Sequence, residues 1–95
     1  MDDENNRKKY NHQWDIVDSF FSTNEPEGFG ALITPEEEDA LRVYYFVSID
    51  GQDIYERRER LVKYNPTIVR AAIAAARRIA LAEGLTAGDV KELFS

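Results

Sequence analysis

The stretch from Asn65 to Glu83, NPTIVRAAIAAARRIALAE, constrains the fold of this chain more than any other. Asn65 can cap a helix, and Pro66 then fills the first helical position, where a missing N–H costs nothing. Seven of the residues between Thr67 and Ala82 are alanine, and nearly all the others form helix readily. At about 100° per residue, Val69, Ala72, Ile73, Ala76, Ile79 and Ala80 share one broad face, which Ile68, Ala75 and Ala82 widen. Arg70, Arg77 and Arg78 leave only a narrow polar strip. A helix this apolar belongs in the middle of a bundle, where its alanines let neighbouring backbones come close. The expected fold is therefore all-α, with four to five short helices packed around this one.

Local signals place the remaining elements. Residues 1–9 are polar and of mixed charge, which reads as a flexible arm ahead of a single helical domain over 10–95. From Tyr10 to Phe21 an amphipathic helix is expected, because Trp14, Val17 and Phe21 fall at i, i+3 and i+7. Tyr10 lies one turn earlier and Phe20 beside them, while Asp15 and Asp18 sit nearer the polar side. These aromatics suit a core; left exposed, they would anchor a partner. Ser22 to Ile33 brings turn residues close together and reads as a loop that Phe29, Leu32 and Ile33 tuck onto the core. Loops of this length often carry function.

Thr34-Pro35-Glu36-Glu37 is the sharpest helix start in the chain. Thr34 caps, Pro35 sits first and Glu37 completes a capping box, while Glu36, Glu37 and Glu38 suit the positive end of the helix dipole. Val43 to Ile49 is rich in β-formers, and Asp50-Gly51 is a hairpin turn signal. The run that follows alternates poorly and has Ile54, Arg58 and Leu61 at helical spacing. Two helices broken at Asp50-Gly51 are expected; the alternative is an α+β fold with a β-hairpin at about 42–57. Gly84 then stops the central helix, and Thr86 caps a last short one, AGDVKELF.

Charge narrows the partners. Up to Asp39 eleven acids face three bases (−8), and from Ala40 onward nine bases face seven acids (+2), which together recover the net charge of −6. An acidic front half disfavours attraction to DNA or to anionic membranes. No apolar run approaches the roughly 20 residues needed to cross a bilayer. MDDENNRKKY holds no apolar signal segment, and there is no cysteine, so a cytoplasmic protein without disulfides is expected. The core available to 95 residues is modest, which makes a homodimer through the alanine-rich helix a further expectation.

Chemistry-bearing constellations are few. His12 is the sole histidine and has no cysteine near it, so no metal site is expected. Asp50 to Asp53 lacks the alternating acids and terminal Glu of a calcium loop. No nucleophile–base set, phosphate-cradling loop or dinucleotide fingerprint occurs, so neither an enzyme nor a cofactor is expected. Ala80, Gly84 and Val90, with Ile79, Leu85 and Leu93 at the supporting apolar positions, look like the spacing of a helix-turn-helix over about the last 20 residues. The resemblance implies a DNA-binding transcriptional regulator. Its second helix, however, offers one Lys, two acids and no Arg, Asn or Gln to read bases.

The expected function is thus non-enzymatic binding to a protein whose surface is basic, as a regulator or inhibitor. Glu25, Glu27, Phe29, Glu36, Glu37, Glu38 and Asp39 are the candidate contact residues, able to occupy a groove that otherwise holds nucleic acid. Small acidic proteins of phages and other mobile elements inhibit nucleic-acid machinery in this way. A secondary basic surface is expected at Arg57, Arg58, Arg70, Arg77 and Arg78. The first two read as a salt-bridged exposed face with Glu56 and Glu59, and the last three as partners for front-half acids, within one chain or across a dimer.

Overall fold

Seventeen residues, Pro66–Ala82, form the alanine-rich helix, and the other helical elements all pack against it. The computed structural model describes residues 2–23, 32–46 and 54–94. In them five α-helices follow one another: α1 (Asp2–Thr23), α2 (Pro35–Leu41), α3 (Ile54–Tyr64), α4 (Pro66–Ala82) and α5 (Ala87–Leu93). A π-helical turn, Arg42–Phe46, continues α2 directly. There is no strand among the described residues. Arg42–Phe46 and the start of α3 are helical, which excludes the hairpin pairing from those residues; the expected break at Asp50-Gly51 lies outside the described residues. The Cα radius of gyration is 12.9 Å, close to the roughly 13 Å of a folded chain of 100 residues.

The alanines of α4 do what their size allows. Ala72, Ala75, Ala76, Ile79 and Ala80 are fully buried and Val69 nearly so, while Ile68, Ala71 and Ile73 pack partly buried against the same core. Ala82, expected on this face, is exposed because the helix ends there. Side chains this small bring α1 and α2 close to the α4 backbone, so the alanine face is consumed inside the protomer. Asn65 stands at the N-cap position, but its side chain makes no capping hydrogen bond; Pro66 alone starts α4. The far end is a Schellman turn. Gly84 takes φ 106°, its N–H donates to the Leu81 carbonyl (3.1 Å), and the Leu85 N–H donates to that of Ala80 (3.1 Å).

α1 begins at Asp2, ahead of the amphipathic segment from Tyr10, so residues 2–9 are helical. It buries Tyr10, Gln13, Ile16, Val17 and Phe20, and leaves Trp14 and Phe21 half-buried. Against it the π turn presents Tyr44 and Tyr45, two consecutive residues that are both buried. Widening the turn from i→i+4 to i→i+5 hydrogen bonds brings neighbouring side chains closer in direction, which lets both rings face inward. Tyr10 stacks on Tyr45 with ring centroids 5.5 Å apart and meets Tyr44 edge-on at 5.9 Å. Every phenol oxygen here finds a partner. Tyr10 donates to the Tyr44 carbonyl (2.9 Å), Tyr45 donates to Gln13 Oε1 (2.7 Å), and Arg58 Nε of α3 donates to the Tyr44 hydroxyl (2.8 Å). Burial pushes the Tyr45 phenol well above its ordinary pKa, with the neighbouring Tyr44 and Tyr10 adding to the rise.

Candidate protein-binding surface

The acidic run at the start of α2 divides into two pairs with different fates. Thr34 Oγ1 accepts from the Glu37 N–H (3.1 Å), and Glu37 Oε1 accepts from the Thr34 N–H (2.9 Å), which closes the capping box. Glu37 also forms an ion pair with Arg78 of α4. Burial alone would raise its pKa, but the hydrogen bonds from Arg78 and Thr34 and the Arg78 charge together hold it below the ordinary value. Glu38 reaches forward along the helix to Arg42 Nε (3.0 Å). Glu36 and Asp39 are exposed and have no ion pair among the described residues. Of the four acids described at the candidate site, two are therefore ion-paired within the chain and two face outward without an ion pair among the described residues. Glu25, Glu27 and Phe29 lie outside the described residues; Ile33 is buried and Leu32 packs partly buried against the core.

Of the five arginines expected as a basic surface, Arg70 and Arg77 are exposed, and Arg57, Arg58 and Arg78 are half-buried. Arg58 lies over the rings of Tyr10 and Tyr44 (5.3 and 5.9 Å to their centroids), with its side chain only 20% exposed, although it also reaches Glu59 (3.4 Å). Arg57 is half-buried. Arg77 Nη2 donates to the Phe94 carbonyl (3.1 Å), clamping α5 onto α4. Arg78 Nε donates to the Leu32 carbonyl (3.0 Å) while its Nη2 meets Glu37, so this arginine pairs with a front-half acid within one chain. Arg70 stays exposed. Sequence spacing does not show which carbonyl or ring each of them meets, because an arginine on a polar strip looks the same whether its acceptor is water or a carbonyl across the bundle.

Beside Glu36 and Asp39 lies an open groove of about 350 Å³ between α2 with its π turn and the first turns of α4. Ala40, Val43, Ile68 and Ala71 give it an apolar floor, Glu36 and Asp39 stand on the α2 side, and Thr67 opens the α4 side. Among the described residues no Lys or Arg lines it. The sequence carried half of the signal: Glu36 with Asp39, and Ala40 with Val43, each repeat at i, i+3. The other half comes from a helix far along the chain. A second cleft, of about 410 Å³, separates α1 from α5, with Lys9 and His12 facing Asp89 and Glu92 over Leu85 and Leu93. Its walls carry opposite charge and so favour no one sign of ligand.

The residues with helix-turn-helix spacing do form a tight helix pair. Thr86 caps α5 through Oγ1, accepting from the Asp89 N–H (3.1 Å), and Val90 and Leu93 are buried against the rest. The outward residues of that seven-residue helix include Asp89, Lys91 and Glu92. Among the described residues no group of three or more His, Cys, Asp or Glu could hold a metal, and no helix is long and apolar enough to cross a membrane. No protein family, no curated protein and no solved structure matches this chain.

Proposed function

We propose that this protein is a non-enzymatic protein-binding module, a small acidic regulator or inhibitor of a partner whose own surface is basic. The sorting of charge supports this reading best. Arg58 donates to a phenol, Arg77 to a carbonyl and Arg78 to a carbonyl and Glu37, whereas Asp15, Glu36, Asp39, Glu83 and Asp89 stand exposed with no ion pair among the described residues. With a net charge of −6, the chain presents these acids to a partner. Such a surface draws in a basic partner and sets the on-rate and salt dependence of the complex more than its final affinity. Where the partner's basic face normally holds nucleic acid, occupying it is inhibition.

A second reading, a DNA-binding regulator, draws on the tight turn between α4 and α5. It has to overcome Asp89 and Glu92 on the outward side of the helix that would enter the groove, because both repel phosphate. One experiment separates the two readings: capture of partners on the immobilised full chain, with and without nuclease, followed by elution in rising salt. The protein-binding reading expects a discrete partner that resists nuclease, elutes as salt rises, and is held less well by the Glu36→Gln/Asp39→Asn variant. Captures that vanish on nuclease treatment, or binding to a duplex lost in Lys91→Ala, would replace it with the DNA reading.

A further inference from the structure

We infer that the groove between α2 and α4 is the docking site for a basic amphipathic helical segment of a partner protein. The inference rests on the protein-binding reading and gives that reading a place. The floor supplied by Ala40, Val43, Ile68 and Ala71 is apolar, and beside it Ala72 and Ala75 of α4 are fully buried. At about 350 Å³ it lies near the small end of the roughly 300–1,000 Å³ typical of ligand sites, which suits one or two aliphatic anchors from a helix laid along it.

Charge decides the flanks of that helix. Glu36 and Asp39, at i and i+3, stand together on one wall, and neither carboxylate is ion-paired among the described residues. Glu37 and Glu38, which lie between them in sequence, pair with Arg78 and Arg42. Arg78 and Arg42 are thus engaged by Glu37 and Glu38, and two carboxylates without an ion pair among the described residues stand beside an apolar floor. A ligand that fills it carries aliphatic side chains one turn apart and Lys or Arg on the adjoining face. An acidic segment would meet like charge, and a uniformly basic one would leave the floor wet.

The test uses the full chain labelled with nitrogen-15 and two synthetic probes. One is an amphipathic peptide with Leu at i, i+3, i+4 and i+7 and Lys elsewhere, and the other is an oligo-lysine of the same charge. The Leu/Lys peptide should shift the amides of Ala40, Val43, Ile68 and Ala71, and the oligo-lysine should not. Affinity for the Leu/Lys peptide should fall about tenfold in Glu36→Gln/Asp39→Asn, where two exposed charges are lost without disturbing the core, and by a similar factor in Ala71→Gln, which fills the floor. Circular dichroism checks that both variants are folded; the double variant alone carries the test if Ala71→Gln is not. Shifts spread over exposed acids with either peptide, and none in the groove, would overturn the docking site while leaving the acidic-surface reading intact. No binding of either peptide at low salt would remove both. Groove amides that shift with the concentration of the protein itself would assign the groove to a second copy and overturn the inference.

Discussion

Gln13 ties α1 to the π turn and to the end of α5 through the two ends of one amide, accepting from Tyr45 and donating to the Leu93 carbonyl (3.0 Å). Each bond contributes about 1 kcal/mol net, but an orphaned buried partner costs about 1–3 kcal/mol. Tyr45→Phe should therefore lose about 1–3 kcal/mol, and Gln13→Leu at least as much. The double variant should lose less than their sum by at least ~0.5 kcal/mol, read from urea unfolding. Strict additivity would mean that the amide and the phenol do not act as a unit. The raised pKa of Tyr45 gives it a part in alkaline stability: its contribution is complete below the ordinary value of 10.0 and is lost as pH climbs above it towards the folded value. Glu37 works in the opposite sense. Its folded pKa lies below the ordinary 4.5, so its contribution is complete above 4.5 and is lost as pH falls through the folded value. Glu37→Gln keeps a side chain able to close the capping box but loses the charge facing Arg78. It should cost about 1 kcal/mol at neutral pH and make stability flatter between pH 5 and pH 3, as followed by urea unfolding at each pH. An unchanged acid limb would take Glu37 out of the pH response.

Helix ends were legible in the sequence where their chemistry is local. Thr34 with Glu37, Thr86 with Asp89, and Gly84 at the Schellman turn each act within a few residues, so spacing alone finds them. Gly84→Ala isolates one of these signals. A methyl group there meets nothing within 4 Å, so the cost is that of holding φ 106° with a side chain, about 1 kcal/mol by thermal or urea unfolding. No loss of stability would mean that the turn relaxes into another conformation. The alanine face of α4 was legible too, because its period is regular. Ala76→Leu should cost about 1–3 kcal/mol in the same assay, since α4 has no room to accept the added carbons without moving its neighbours. What escaped the sequence depends on contacts far along the chain. The run Val43–Phe46 looks β-prone by composition, and only the aromatic pocket formed with Tyr10 makes a π turn worth adopting. Gln13 resembles a solvent-side residue until Tyr45 and Leu93 arrive. The groove needs Val43 and Ile68 side by side, and no local pattern brings those together.

At the scale of the molecule, a net charge of −6 makes repulsion among exposed acids a surface term that salt tests. Two exposed pairs, Lys8–Glu4 and Arg42–Glu38, are worth about 0–1 kcal/mol each, and salt weakens them. Asp15, Glu36, Asp39, Glu83 and Asp89 are exposed with no ion pair among the described residues, and salt relieves their mutual repulsion, since the screening length shrinks from about 30 Å at 0.01 M to about 3 Å at 1 M. The Glu37–Arg78 pair, with side chains 18% and 41% exposed, is screened less than either surface pair. Repulsion should win, so the urea midpoint should rise as sodium chloride increases from about 10 mM to about 500 mM. Two substitutions refine the attribution. Asp39 lies beyond the first turn of α2, where the helix dipole no longer favours an anion. Asp39→Asn should therefore gain a few tenths of a kcal/mol at low salt and nothing at high salt. Glu36 sits in the first turn, where the dipole contributes about 0.3–1 kcal/mol, so Glu36→Gln should be close to neutral as the two effects offset. A midpoint that falls with salt would show that the paired ions outweigh the unpaired acids. The surface would then be balanced rather than acidic in effect, and the attraction to a basic partner would lose its physical basis.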